Sequence, residues 1–157
     1  MVAYSGSMQR VPMYKHILIA TDGSPLSAEA IGKAMALAKQ LAAKATVLMV
    51  TEPFRVYSSD PGQIAAMKGE FERQSGEEAR RHLAAAQQQA TALGVACETL
   101  TFQHRRPYEA IIETAAAKGC DLIAMASHGR SGVSAVVLGS ETLKVLTHSK
   151  TPVLVYR

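Results

Sequence analysis

Tryptophan is absent from this 157-residue chain, and three Phe and five Tyr bring the aromatic share to only 5%. So small a set gives no stacking platform for single-stranded nucleic acid. Cysteine is scarce as well: Cys97 and Cys120 lie far apart, and neither belongs to a CxxC pair. That excludes a disulfide-stapled small fold and reads most simply as two reduced, semi-buried thiols. No apolar run approaches the roughly 20 residues that would span a bilayer. Charge of one sign is in short excess. The 17 Lys and Arg against 13 Asp and Glu leave a formal net charge of +4, which favours an anionic ligand only weakly. Neither a nucleic acid nor a membrane is expected as a partner. The 48% apolar and 19% charged residues exclude disorder and fit one soluble domain with a real core.

Residues 1–12, MVAYSGSMQRVP, hold one Arg and no extended apolar run, so they do not read as a secretory signal. They are expected to be a flexible lead-in to a domain over residues 13–157 of a cytoplasmic protein. From there on, short apolar runs alternate with helical periodicity. His16–Thr21 reads as a first strand, ending at Asp22-Gly23-Ser24-Pro25, where Ser24 suits an N-cap and Pro25 the first helical position. The helix that follows carries an apolar stripe of Ala30, Ile31, Ala34, Leu37, Ala38 and Leu41. Residues 45–51 read as a second strand, 52–62 as a loop, and 63–93 as a long helix stopped by Gly94. Residues 95–102 form a third strand. Pro107 opens a helix with Ile111, Ile112, Ala115 and Ala116, stopped by Gly119. Leu122–Ala126 and Val153–Tyr156 complete five strands, with a Gly/Ser loop and a helix through Leu143, Val145 and Leu146 between them. This alternation implies βαβ units, a parallel sheet and right-handed crossovers. Ligands of such open sheets bind beyond the carboxyl ends of the strands, where the strand order reverses.

Two segments at those ends could carry chemistry. After the first strand, Asp22 can accept hydrogen bonds from ribose hydroxyls, hold a metal, take a phosphoryl group, or simply serve as a turn residue at a helix start. A phosphoacceptor would want further acidic neighbours near that strand, and Asp22 stands alone there. After the fourth strand comes Met125-Ala-Ser-His-Gly-Arg-Ser-Gly-Val-Ser134, and then Gly139-Ser140-Glu141-Thr142. Small residues whose N–H groups can converge, followed by Gly-Ser opening a helix, suit a phosphate site, and Arg130 adds a fork of donors. On composition alone the stretch can equally be only a loop. It contains neither GxxxxGK[ST] nor GxGxxG. His128 has no Ser or Cys nucleophile with an orienting third group, so it reads as a hydrogen-bonding loop residue rather than a base. His16, His82, His104 and His148 show no metal-ligand spacing. His104-Arg105-Arg106 reads as a solvated loop, and the mixed charges of Glu70-Phe-Glu-Arg and Glu77-Glu-Ala-Arg-Arg as a solvated helix face.

Together the Asp-Gly-Ser after the first strand, the Ser-His-Gly-Arg loop, the Gly-Ser pair and the terminal Thr-Pro-Val-Leu-Val resemble the universal stress protein family, from Met13 to Arg157. The resemblance implies a single open five-stranded parallel sheet in order 3-2-1-4-5 with helices on both faces, an α/β fold of the adenine nucleotide alpha hydrolase-like kind. It also implies a homodimer and one of two branches, ATP-binding or not. The ATP-binding branch carries G-x2-G-x9-G-[S/T]; here that register reads Ala126, Gly129, Gly139 and Ser140, so the first glycine is replaced. Ala126 ends a strand, where φ is expected to be negative and a Cβ strains the backbone little. Its methyl should crowd a nucleotide and cost ~1–2 kcal/mol, about tenfold in affinity, rather than abolish binding.

By that resemblance Ala20, Thr21 and Asp22 sit near adenine and ribose, Val50 contacts adenine, and Met125 and Ala126 floor the pocket. Ser127, His128, Gly129, Arg130, Ser131 and Gly132 wrap the phosphates. Ser140, Glu141 and Thr142, behind Gly139, donate from a helix N-terminus. Mg2+ or Mn2+ would be held by the phosphates and water, for no paired carboxylates are in view. The implied function is a cytoplasmic stress-response protein that binds ATP or another adenine nucleotide and acts as a nucleotide-dependent dimeric regulator. A dimeric interaction protein without ATP is the alternative that Ala126 favours. A slow ATP hydrolase is the other, lacking a Walker lysine and a water-activating residue; no catalytic residue is assigned. The dimer is expected to form through Val153, Leu154, Val155 and Tyr156, an apolar edge that needs cover.

Overall fold

The computed structural model describes residues 13–130 and 138–157. The lead-in over residues 1–12, and Ser131 and Gly132 of the loop after the fourth strand, lie outside the described residues. Five strands, β1 (His16–Thr21), β2 (Lys44–Thr51), β3 (Cys97–Gln103), β4 (Leu122–Ala126) and β5 (Val153–Tyr156), form one parallel sheet in the order β3-β2-β1-β4-β5. Between them run α1 (Pro25–Leu41), α2 (Pro61–Leu93), α3 (Pro107–Lys118) and α4 (Ser140–His148). This is the architecture the resemblance implies.

Local chemistry sets the element ends. Ser24 caps α1 by accepting from the Ser27 N–H at 3.2 Å, and Gly94, at φ 72°, closes α2 in the left-handed region that favours glycine. Three elements have bounds that differ from the sequence reading. α2 begins at Pro61 because Asp60 Oδ1 accepts from Gly62 N and Gln63 N, a start two residues earlier than expected. β3 begins at Cys97 because the Val95 N–H is spent on Ala90 O at the end of α2; it runs on to Gln103, which pairs with Thr51. β2 begins at Lys44, opposite His16.

Strand side chains alternate, so β1 feeds two cores. Ile17 and Ile19 pack with the α1 stripe and with Ala79, Leu83, Ala86 and Ala90 of α2. Leu18 and Ala20 pack with Ile111 and Ala115 of α3 and Val145 of α4. Ile17, Leu18 and Ile19 are fully buried, and truncating any one to Ala would cost about 2–5 kcal/mol. Cys97 and Cys120 are free; burial, then the Asp121 charge, pushes the Cys120 thiol up to about 11, so it stays protonated at neutral pH. His16 is buried at the start of β1, its Nε2 2.8 Å from Thr46 Oγ1, and burial, then nearby Lys44, lowers its pKa. Among the described residues no helix is long and apolar enough to cross a membrane. α2 buries side chains only in its second half, and earlier turns wall the cleft described next.

Candidate functional site: the cleft at the strand ends

A cleft of about 520 Å³ opens at the carboxyl ends of β1, β2 and β4. It lies where the sheet order turns back, with β2 on one side of β1 and β4 on the other. Ala20, Thr21, Asp22, Val50, Met125, Ala126, His128, Gly129, Arg130, Gly139, Ser140, Glu141 and Thr142 all line it. Leu48, Val50, Pro107 and Ile111 give it an apolar side.

Asp22 organises the first wall. Its Oδ1 accepts from Ser24 N at 2.9 Å and its Oδ2 from Arg130 N at 2.9 Å. Burial opposes ionisation of this carboxyl, but the hydrogen bonds from Ser24 and Arg130 outweigh it and hold the group below its ordinary range. Asp22 is therefore an anion at neutral pH. Behind it Ser27 Oγ donates to Ser24 O, so the Thr21 hydroxyl is the donor in its 2.9 Å bond to Ser27 Oγ, and it accepts from Gly23 N. Gly129 packs against the same carboxylate: a Cβ there would overlap Asp22 Oδ2 and lie 3.0 Å from Cγ. The second motif glycine thus leaves room for a carboxylate from the first strand end.

The start of α4 forms the facing wall. Gly139 is its N-cap and supplies no side-chain bond, so among the described residues no side chain caps the N–H groups of the first turn. Gly139 N donates to Ser127 O at 2.8 Å, and Thr142 Oγ1 donates to Ala126 O at 3.0 Å. Those bonds seat the helix on the end of β4. A Cβ on Gly139 would meet His128 Cα at 3.2 Å and Ser127 O at 3.4 Å. This glycine therefore permits contact between two backbone segments at the edge of the cleft. Ala126 has no positive φ, as expected for a strand end, so its methyl lines the cleft without backbone strain.

Ser127 does not sit as the sequence reading has it, and the side chains of Glu141 and Arg130, which do line the cleft, are engaged within the chain. Ser127 is buried; its N donates to Tyr156 O at 2.7 Å and its Oγ shares a 3.1 Å hydrogen bond with His128 Nδ1, so it ties β4 to β5 instead of lining the cleft. The Glu141 carboxylate accepts from Tyr108 N at 2.9 Å and pairs with Lys144. It caps α3, whose own N-cap Arg106 makes no side-chain cap bond. Arg130 Nη2 pairs with Glu78 of α2. Sequence reasoning missed the α2 wall altogether: Phe71, Gln74, Ser75 and Glu78 line the cleft from mid-helix positions that carry no motif. His104-Arg105-Arg106 is exposed or half-exposed, with Arg106 paired to Glu109.

The family model of universal stress proteins matches residues 13–157. The universal stress protein in the QAH/OAS sulfhydrylase 3′ region of Thermus aquaticus is 35% identical over 146 residues, covering 92% of this chain and all of that one. Universal stress protein YxiE of Bacillus subtilis is 33% identical over 149 residues, again covering 92% of this chain and all of its own. Among solved structures, protein MJ0577 of Methanocaldococcus jannaschii superposes with a TM-score of 0.75 at 27% identity, covering 91% of this chain and 95% of that one. A universal stress protein in complex with cAMP gives 0.67 at 24% identity, covering 92% and 97%. One from Archaeoglobus fulgidus in complex with dAMP gives 0.64 at 18%, covering 92% and 98%. These last two are likenesses of fold. By the family match and by relatives aligned over their whole length, the chain belongs to the universal stress protein family.

Proposed function

We propose that the cleft binds ATP or another adenine nucleotide and that the chain works as a cytoplasmic, dimeric, nucleotide-dependent stress-response regulator. The observation that carries this reading is the α4 start, a helix N-terminus with no side-chain cap, facing an ionised Asp22 across a cleft with one apolar side. Adenine and ribose fit the side formed by Leu48, Val50, Pro107 and Ile111, with Asp22 accepting from ribose hydroxyls. The phosphates fit the first turn of α4, where an anion gains from the dipole and from the N–H donors of a helix start. The complexes with cAMP and with dAMP support it as relatives of the same fold. A divalent ion, if bound, would ride on the phosphates and water and offset their charge.

Ala126 favours a second reading, a dimeric interaction protein that has lost useful nucleotide affinity, because its methyl lines the cleft. Calorimetry on the native chain and on Ala126→Gly separates the two. Micromolar to millimolar ATP binding, up to about tenfold tighter in the variant, supports the first reading. If neither binds millimolar ATP, the interaction reading replaces it.

A further inference from the structure

The Arg130 guanidinium, the strongest donor fork in the cleft, is held by a partner within the chain. Its backbone N–H donates to Asp22 Oδ2 at 2.9 Å. Its Nη2 pairs with the carboxylate of Glu78, which reaches over from α2. Glu78 Oε1 lies 3.7 Å from His82 Nε2, and the His82 ring lies so close to Gly23 that a Cβ there would sit 2.8 Å from it. Glu78 is thus one member of a contact set that spans the mouth of the cleft from α2 to the β1 and β4 ends. Among the described residues, no other ion pair joins α2 to the segment after β4.

We infer that Glu78 is an internal competitor for the phosphates: it occupies Arg130 in the free protein and must be displaced when a nucleotide engages that side chain. The inference rests on the nucleotide reading of the cleft and adds a regulatory element to it. The Glu78 carboxylate and a phosphate are both anionic acceptors for Arg130 Nη2, so one occupant excludes the other at that nitrogen. Both partners are partly solvated, at 51% and 37% side-chain exposure, which keeps the pair weak enough to exchange. Exchange also releases α2 from the segment after β4, so nucleotide binding reaches a helix that contributes neither strand ends nor helix-start donors to the site.

The test is calorimetric titration of the full chain with ATP and with adenosine, in the native protein, Glu78→Gln, Arg130→Gln and the double variant, each first checked by its melting curve. Removing the competitor should tighten ATP about two- to fivefold, the range in which exposed ion pairs act, and should change adenosine less than twofold. Arg130→Gln should weaken ATP, and Glu78→Gln should then have no further effect in its background. Equal ATP affinity in native and Glu78→Gln overturns the competitor and leaves the nucleotide reading standing. So does an equal gain in the Arg130→Gln background, which would make Glu78 a plain repulsive charge. Failure of the native chain and Glu78→Gln to bind either ligand overturns both.

Discussion

Gly129→Ala asks whether Asp22 is locked by the loop after β4. The Gly129 φ does not require glycine, so the substitution acts through space alone. Its Cβ would overlap Asp22 Oδ2, so the carboxylate must swing away. The bond from Arg130 N is lost and the bond from Ser24 N, on the same group, is disturbed. Hydrogen bonds to charged groups contribute about 1.5–3 kcal/mol, while Gly→Ala at a compatible φ gains ~0.4–1 kcal/mol by stiffening the unfolded chain. The net loss is about 0.5–2.6 kcal/mol, or roughly 1–10 °C in melting temperature for a chain of this size. Gly139→Ala should cost less, within about 1 kcal/mol, because its Cβ contacts begin at 3.2 Å and need only a small backbone adjustment. The assay is the melting curve of the ligand-free protein at neutral pH, by circular dichroism or calorimetry. A double variant with Asp22→Ala supplies the control: with the carboxylate gone the methyl has room, so the two losses should not add. Gly129→Ala melting within about 1 °C of native, or losses that do add, would refute the lock.

Three further outcomes follow from the same geometry. Ser140→Ala removes a hydroxyl at the α4 start and should weaken ATP about tenfold or more, the value of a donor to a charged oxygen, with adenosine unaffected; equal weakening of both would move the phosphates elsewhere. His16 has a lowered folded pKa, so its contribution to stability is complete above its ordinary value of 6.5 and is lost as pH falls from there toward the folded value, where the unfolded chain takes the proton first. Denaturant titrations across that window should show a slope that His16→Gln flattens, whereas Asp22, also lowered, adds its loss only below its ordinary 3.8; an unchanged slope in His16→Gln contradicts the assignment. Light scattering at tens of micromolar should return twice the 16.7 kDa chain mass, because β5 is an apolar sheet edge that calls for cover; the single-chain mass would contradict the dimer.

The elements of the fold were legible because each is written locally. Ser24-Pro25 opens α1, Gly94 and Gly119 close α2 and α3 with positive φ, and four-to-eight-residue apolar runs sit between them. The strand order was not readable from periodicity, which gives a parallel sheet and no order; it came from the resemblance. The site divides along the same line. Residues at strand ends and at the α4 start could be named because topology places them beyond the carboxyl edge. The α2 wall could not, since Glu78 and Gln74 look like any solvated helix charge or amide until the helix is laid across the sheet. Gly139 shows the same limit from another side. A glycine before a helix is equally consistent with room for a ligand and with room for a neighbouring backbone, and the close approach of His128 becomes visible only in the fold.

The claim that a nucleotide sits between the β1 end and the α4 start is tested most directly by an NMR titration of the labelled chain with ATP, followed through backbone amides. The account predicts saturable shifts at Asp22 and Gly23, at Val50, and most strongly at the Ser140, Glu141 and Thr142 amides, with adenosine reproducing the first two sets and sparing the third. Shifts that leave the α4 amides unmoved at saturating ATP, or no shifts at millimolar ATP, would contradict it.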